Sequence, residues 1–238
     1  MRPDSFVRRG VLAALLCTLA FPVAAQSENP KRIGIVGAGN IGGTLGRLWL
    51  KAGYEVFFSS RHPEELKALI EELGPKARAG TPAEAIAFGN AVLFAVPYKA
   101  YPDLGRENAA ALKGKVVIDA GNAVQARDGA LYDEVERDGI GAVSARYLAG
   151  ARLVRAFNAA NYKTFLKHAG RPEPRMAVPI AGDDPKALDT ARTLVSDAGF
   201  DPVVVGELAA ARTFARTVPG FDLDLTASDL KAKLGVAP

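Results

Sequence analysis

A glycine-rich turn with the spacing G-x-G-x-x-G occupies residues 37–42, after the apolar run Ile33–Val36 and before a helical stretch, Thr44–Ala52. In such a strand–turn–helix unit the first glycine permits the tight turn and the second lets the backbone approach a pyrophosphate. The third lets helix and strand pack closely. The free N–H groups and the dipole at the helix start favour the negative pyrophosphate. The pattern therefore predicts dinucleotide binding. The predicted contacts at the turn are Gly37, Gly39, Asn40, Ile41 and Gly42.

The run Tyr54–Phe58 predicts a second strand, which ends in the polar sequence Ser59, Ser60, Arg61. NAD-binding units usually carry Asp or Glu at this point, about 20 residues after the glycines, to bond the ribose 2′-hydroxyl. This chain has two hydroxyls and a guanidinium instead, and the planar fork of an arginine suits a phosphate. The serines could also cap a helix that begins at Pro63, which is compatible with phosphate binding. The pattern favours NADP over NAD as the cofactor.

Three later strand ends are expected to border the ribose and nicotinamide half of the cofactor, because ligands of open α/β sheets lie outside the carboxyl ends of the strands. Backbone groups at the first of these ends, and the side-chain amides at the other two, could orient the nicotinamide. The alternatives are a strand terminator for the proline and a turn former for the last asparagine. The predicted contacts in this half are Val96, Pro97, Asn122, Phe157 and Asn158.

Apolar strand-like runs alternate with helix-like stretches along the chain, which is typical of a mostly parallel sheet covered on both faces. The sequence therefore predicts an α/β fold, a single Rossmann-type doubly wound sheet. Helices are expected over Pro63–Leu73 and Pro185–Ala198, and Thr81 with Glu84 has the spacing of a capping box at another helix start. The remaining strands are predicted over Ala91–Val96, Lys115–Asp119, Arg152–Phe157, Val178–Ala181 and Pro202–Val205.

The first 25 residues have the pattern of an export signal. Arg8 and Arg9 precede an apolar run, Val11–Val23, and small residues up to Ala25 resemble a cleavage site. The run is too short to span a bilayer, and the paired arginines also resemble a twin-arginine signal. We predict a signal peptide over residues 1–25, a periplasmic location by the Sec or twin-arginine route, and one NADP-binding domain over residues 26–238 with a short C-terminal tail. A misassigned start would make the location cytoplasmic.

Composition excludes several classes of site. The single cysteine, Cys17, lies in the predicted signal, so the rest of the chain has no disulfide, thiol nucleophile or cysteine metal site. The net charge of +4 is too small to indicate nucleic-acid binding, and removal of the signal lowers it further. No later run is long enough to span a membrane, and the two histidines lack metal-ligand spacing, so no metal site is predicted.

The chain offers few groups for acid–base catalysis. No tyrosine is followed four residues later by a lysine, the dyad of short-chain dehydrogenases. His62 and His168 are expected to be solvated, and Lys163 is the one ammonium near the expected pocket, with a helix-surface position as the alternative. The catalytic residues are therefore left unknown. A nicotinamide site without an evident acid suits a flavin-type ring, which accepts hydride face to face.

From Lys31 to about Arg212 the chain resembles the NADPH-dependent deazaflavin (coenzyme F420) reductases and the NADPH-oxidising domain of the six-transmembrane metalloreductases. The resemblance implies that Ser60 and Arg61 hold the 2′-phosphate and that a flavin, deazaflavin or other small redox acceptor takes the hydride. The family's cysteine before a Gly-Asp turn is Ala181 here, and the tail after Phe214, which helps form the acceptor pocket in the deazaflavin enzymes, matches poorly. The matching segments are Gly37–Gly42, Ser60–Arg61, Ala95–Pro97, Ala156–Asn158, Val178–Asp183 and Gly199–Pro202.

Two alternatives stay open at this stage. One is a reductase like the pyrroline-carboxylate reductases or β-hydroxyacid dehydrogenases, although the chain after Phe157 is too short for their added helical domain. The other is an exported protein that binds NADP without turnover. The sequence also leaves open the identity of the acceptor and whether the protein forms a homodimer.

Overall fold

The computed structural model describes residues 31–219 and 221–236, so the predicted signal peptide lies outside the described residues. Eight strands form one sheet with the spatial order β3-β2-β1-β4-β5-β6-β7-β8. The strands are β1 (Arg32–Val36), β2 (Glu55–Ser59), β3 (Ala77–Gly80), β4 (Ala91–Phe94), β5 (Val116–Asp119), β6 (Arg152–Arg155), β7 (Ala177–Gly182) and β8 (Asp201–Gly206).

Eleven α-helices are found in the described ranges, together with three 3-10 segments at Pro63–Leu66, Tyr98–Ala100 and Leu208–Phe214. The helices are α1 (Asn40–Lys51), α2 (Lys67–Leu73), α3 (Pro82–Phe88), α4 (Tyr101–Glu107), α5 (Ala109–Leu112), α6 (Gln125–Asp128), α7 (Ala130–Asp138), α8 (Ile140–Tyr147), α9 (Tyr162–His168), α10 (Pro185–Asp197) and α11 (Ala227–Leu234). No helix within these ranges is long and apolar enough to cross a membrane.

The first six strands run parallel, and the last two run the other way. β6 pairs with β7 in antiparallel register, with Arg155 opposite Ala181, and β8 is parallel to β7. The carboxyl ends of β1 to β6 therefore lie at one edge of the sheet, where the start of β7 also lies. The Gly182–Asp183 turn lies at the opposite edge, away from the glycine-rich turn.

Helices cover both faces of the sheet, which confirms the predicted doubly wound α/β fold. One face carries a core in which Trp49 of α1 donates from Nε1 to the Leu194 carbonyl of α10 at 2.9 Å. The core on the other face includes Phe94, Tyr101 and Phe214. Since the sheet is buried on both sides, β4 and β5 are fully buried strands, as expected for parallel sheets.

Most local predictions agree with the structure, apart from several boundaries and one missed strand. The Thr81–Glu84 capping box is present, with the Thr81 side chain accepting from the Glu84 amide. The helix predicted from Pro63 starts instead as a 3-10 turn and becomes α-helical only at Lys67. The sequence prediction missed β3, whose residues Ala77–Gly80 have little strand propensity and are ordered by pairing with β2.

Candidate cofactor site

The glycine-rich turn connects β1 to α1 with little free space inside it. Gly37 has φ +103°, and a Cβ there would lie 2.6 Å from the Ala95 carbonyl oxygen, so only glycine fits this turn. A Cβ on Gly42 would lie 2.0 Å from the Gly37 carbonyl oxygen, which shows how closely the helix approaches the strand. A Cβ on Gly39 meets no described atom within 4 Å. The outer side of the turn is therefore open, as a backbone approach to a ligand requires.

The N-terminus of α1 lies at this opening. Gly39 occupies the cap position without any side-chain capping bond, and no acidic residue lies in the first helical turn. Asn40 is exposed and Ile41 is half-buried. The first amide groups of a helix have no intrahelical acceptor, so this end presents N–H donors and a positive dipole to an anion. The helix start is thus suited to the pyrophosphate of a dinucleotide.

The end of β2 lies beside the turn, because the Ala38 amide donates to the Ser59 carbonyl at 3.0 Å. The Ser59 side chain is fully buried, and its hydroxyl donates to the Ile35 carbonyl at 2.9 Å. Because this hydroxyl is buried and bonded to β1, it does not face the opening. Ser60 is half-buried, and its hydroxyl accepts from the His62 amide at 3.1 Å.

Arg61 is exposed and forms no ion pair with any residue that the structure describes. Its guanidinium is therefore free to meet an anion. His62 is exposed and lies 3.4 Å from a Glu64 carboxylate oxygen, as expected for a solvated histidine. At this strand end, the two side chains suited to a phosphate are those of Ser60 and Arg61.

The carboxyl ends of β4, β5 and β6 meet at the same edge. Val96 is half-buried and Pro97 exposed. The Asn122 amide nitrogen donates to the Asn158 carbonyl at 2.8 Å, and the Asn158 amide nitrogen donates to the Phe214 carbonyl at 3.2 Å. The structure thus brings together the loop after β5, which contains Asn122, and the loop after β6, which contains Asn158.

The two asparagines have an unusual feature in common. The side-chain oxygens Oδ1 of Asn122 and Asn158 are buried and have no hydrogen-bond partner within the described ranges. Buried polar atoms are nearly always paired, because an unpaired acceptor costs about 1–3 kcal/mol. Two such acceptors on neighbouring loops are suited to a ligand with hydrogen-bond donors.

Phe157 differs from the role expected of it. Its ring is 1% exposed and packs edge-on against Trp49 and Phe165, with ring centroids 5.8 and 5.7 Å away. The side chain therefore belongs to the core, and only its backbone lies near the opening. Its φ of +61° is a left-handed conformation that costs a non-glycine residue about 1–2 kcal/mol. This left-handed conformation sets the direction in which the chain continues from Phe157 to Asn158.

A buried charge network, which sequence reasoning missed, lies beneath these loops. Asp119 and Arg155 end neighbouring strands, are both 0% exposed in their side chains, and lie 2.6 Å apart. The Tyr101 hydroxyl donates to Asp119 at 2.6 Å. Burial raises the pKa of the Tyr101 phenol well above its usual value, and the Asp119 carboxylate raises it further. The sequence signal was a charged residue directly after the apolar residues of each of two strands, 116–118 and 153–154.

The other titratable candidates do not form a catalytic group here. His168 was expected to be solvated, and that prediction is wrong. The residue is buried, with Nε2 3.0 Å from Asp224 and Nδ1 3.1 Å from the Arg171 guanidinium. Lys163 is exposed in the first turn of α9. The described residues contain no group of three or more potential metal-ligating side chains.

Comparison with known families shows which proteins this chain resembles. Residues 32–123 match the family described as NADP oxidoreductase, coenzyme F420-dependent. The chain resembles the F420-dependent NADP oxidoreductases. The matched range contains the glycine-rich turn, the end of β2, Val96–Pro97 and Asn122, and it ends before β6. This is the family that the sequence motifs resemble, so that resemblance is confirmed.

Two curated relatives extend the comparison. The metalloreductase STEAP3 of Rattus norvegicus is 29% identical over 189 residues, which cover 78% of this chain and 36% of that protein. Protein YjhV of Escherichia coli (strain K12) is 39% identical over 56 residues, covering 24% of this chain and 41% of that protein. The chain thus matches less than half the length of each of these relatives.

Solved structures support the fold. The hypothetical protein SMa0349 of Sinorhizobium meliloti is 26% identical, with a TM-score of 0.72, and the match covers 83% of this chain and 96% of that one. A protein described as an F420-dependent NADP reductase, from Arthrobacter sp. FB24, is 23% identical, with a TM-score of 0.65 and coverage of 77% and 88%. An imine reductase of Myxococcus stipitatus in complex with NAD⁺ is 16% identical, with a TM-score of 0.55 and coverage of 87% and 60%.

Proposed function

We propose that residues 26–238 form one NADP-binding domain that transfers hydride between NADPH and a flavin, a deazaflavin or another small redox acceptor. The observation that carries this proposal is the combination at one sheet edge of an open glycine turn and an exposed Arg61 that has no ion-pair partner among the described residues. The first feature suits any dinucleotide, and the second distinguishes its phosphorylated form. The matched family and the relatives are consistent with this assignment.

The preference for NADP over NAD rests on the end of β2. NAD sites usually have a carboxylate there that accepts from the ribose 2′-hydroxyl, and residues 59–61 contain none. Ser60 and Arg61 would hold the 2′-phosphate, the arginine through a charge-assisted, two-pronged contact. The turn residues Gly37, Gly39, Asn40, Ile41 and Gly42 would hold the pyrophosphate. Ser59 would contribute only through its backbone, because its hydroxyl is bonded to Ile35.

The nicotinamide half would lie against the ends of β4, β5 and β6. A nicotinamide carboxamide carries N–H donors, which the unpaired Oδ1 atoms of Asn122 and Asn158 could accept. Val96 and Pro97 would border the ring, and the backbone at Phe157 would direct Asn158 toward it. The donor and acceptor set therefore fits the group.

The chain's own residues would orient the reactants and exclude water, while the bound nicotinamide would supply the hydride. Hydride transfer between two stacked rings needs position more than a proton donor. The predicted nicotinamide site, which consists of the Asn122 and Asn158 amides, backbone groups and Pro97, meets that need without a proton donor. An acceptor of flavin type is therefore favoured over a carbonyl, which needs an acid beside it.

Steady-state oxidation of NADPH tests this proposal with free flavins, the deazaflavin F420, ferric chelates and a cyclic imine as acceptors. We expect turnover with at least one flavin-type acceptor and little with the imine. Tight NADPH binding without turnover of any acceptor would instead support the non-catalytic alternative. Turnover with the imine alone would support the imine-reductase class, although those proteins are longer than this chain.

We also propose that the protein is exported and cut after Ala25. The support is the sequence pattern of residues 1–25, which lie outside the described structure. Intact-mass measurement of protein from a fractionated host tests this. A periplasmic product beginning at Gln26 would support the proposal, and a cytoplasmic product retaining Met1 would contradict it.

A further inference from the structure

The buried pair formed by Asp119 and Arg155 lies next to the proposed nicotinamide site, although neither residue belongs to the set that would touch the cofactor. Asp119 ends β5 and Arg155 ends β6, and the two are direct partners in the parallel register. Their side chains are completely buried and lie 2.6 Å apart. A buried ion pair often stabilises a fold no better than apolar residues would, so its presence calls for another explanation.

The pair binds both backbone polar groups of Gly121, in the loop that follows β5. The Gly121 amide donates to Asp119 Oδ1 at 2.9 Å, and the Gly121 carbonyl accepts from Arg155 Nη2 at 2.7 Å. Asn122 follows directly, and its amide nitrogen donates to the Asn158 carbonyl at 2.8 Å. The charges thus fix the loop that places Asn122, and Asn122 in turn is tied to the β6 loop.

Tyr101, at the start of α4, also contacts Asp119. Its hydroxyl donates to the same Asp119 oxygen, Oδ1, at 2.6 Å. A Cβ built on Gly121 would lie 2.1 Å from the Tyr101 hydroxyl oxygen, so the phenol packs directly under the loop. The phenol therefore limits rotation of the carboxylate and supports the backbone that the carboxylate holds.

We propose that Tyr101, Asp119 and Arg155 are positioning residues, which preorganise Asn122 and Asn158 for the nicotinamide end of NADPH without touching it. This inference rests on the proposed function. The physical reason is that a loop already held in its binding conformation loses less conformational entropy when the ligand binds. The adenine end of the cofactor, near Arg61, shares none of these contacts.

The test uses Tyr101→Phe and two ligands, NADPH and adenosine 2′,5′-bisphosphate, which carries the 2′-phosphate but no nicotinamide. We expect about tenfold weaker NADPH binding and less than about twofold change for the bisphosphate. The matched control is Tyr98→Phe. Tyr98 is also buried and stacks on Tyr101, with centroids 4.4 Å apart, but its hydroxyl bonds to Ser144 at 2.8 Å. The control should bind both ligands as the unmodified protein does.

A second variant, Asp119→Leu combined with Arg155→Met, removes both charges at once and leaves no unpaired buried ion. A cooperative thermal transition would show that it folds, and it should lose NADPH affinity selectively, as Tyr101→Phe does. Equal losses for both ligands in the folded variants, or no loss in either variant, would overturn the inference. Failure of the unmodified protein to bind the bisphosphate would be a different result, because it would overturn the proposed function itself.

Discussion

Replacement of Arg61 by aspartate tests the cofactor assignment most directly. Arg61 is exposed at the end of β2 and is unpaired in the described part of the chain, so its substitution removes no structural contact there. The aspartate would remove the phosphate partner and supply the carboxylate that binds a ribose 2′-hydroxyl. We therefore expect NADPH to bind more weakly and NADH more tightly.

The size of this change follows from the exposure of the side chain. A hydrogen bond to a charged group contributes about 1.5–3 kcal/mol, and solvent around Arg61 favours the lower value, about 1.5 kcal/mol. Repulsion between the new carboxylate and the 2′-phosphate, together with a new bond to the ribose of NADH, adds about 1 kcal/mol or slightly more. The total of about 2.7 kcal/mol corresponds to roughly a 100-fold change in the ratio of the two dissociation constants.

Fluorescence titration of NADPH and NADH against the purified variant measures this ratio at one fixed salt concentration. Arg106→Asp is the matched control, because Arg106 is an exposed arginine near the far end of α4 and the substitution changes the net charge equally. The control should leave the ratio within about twofold of the unmodified value. An Arg61→Asp protein with an unchanged ratio would refute the assignment of the 2′-phosphate to this residue.

Three other outcomes are expected. Gly39→Ala should leave the melting temperature unchanged and weaken NADPH binding, because the new Cβ meets no described atom but would face the pyrophosphate. Gly42→Ala should instead lower the melting temperature, because its Cβ would collide with the Gly37 carbonyl oxygen. Burial raises the pKa of Asp128, but hydrogen bonds from Arg127 and from backbone amides outweigh it, and the net pKa is below the ordinary value. Its contribution to stability is thus present above about pH 4 and is lost as the pH falls through the lowered pKa. Denaturant titrations from pH 7 to pH 2.5 should show that the free energy of unfolding falls less steeply for Asp128→Asn than for the unmodified protein. An equally steep fall in both proteins would contradict this role of Asp128. Lys163→Ala should change turnover less than about twofold, since Lys163 is exposed, and a large loss would identify it as a proton donor.

Much of the fold was predictable because its signals are local. The glycine spacing after an apolar run determines the β1–α1 turn, and the Thr81–Glu84 box determines the start of α3. Alternation of apolar runs and helical stretches predicts the layered sheet. Weak local signals failed: Ala77–Gly80 becomes a strand only because the edge of β2 offers it partners.

The site was only partly predictable, because several side chains owe their role to distant residues. Ser59 has the expected position, but its hydroxyl is bonded to Ile35 of the neighbouring strand. His168 looked solvent-exposed by its place at a helix end, yet Asp224 of the C-terminal segment packs against it. Neither partner is close in sequence.

The sequence by itself determined the residue types at each strand end, and with them the prediction that the dinucleotide is the phosphorylated form. Tertiary structure decided which of those residues face the opening, and it placed Asp119 beside Arg155, 36 positions later in the chain, on adjacent strands. The physical reason is that propensity and spacing act over a few residues, whereas burial and charge pairing depend on strand register, which sets neighbours across the whole sheet.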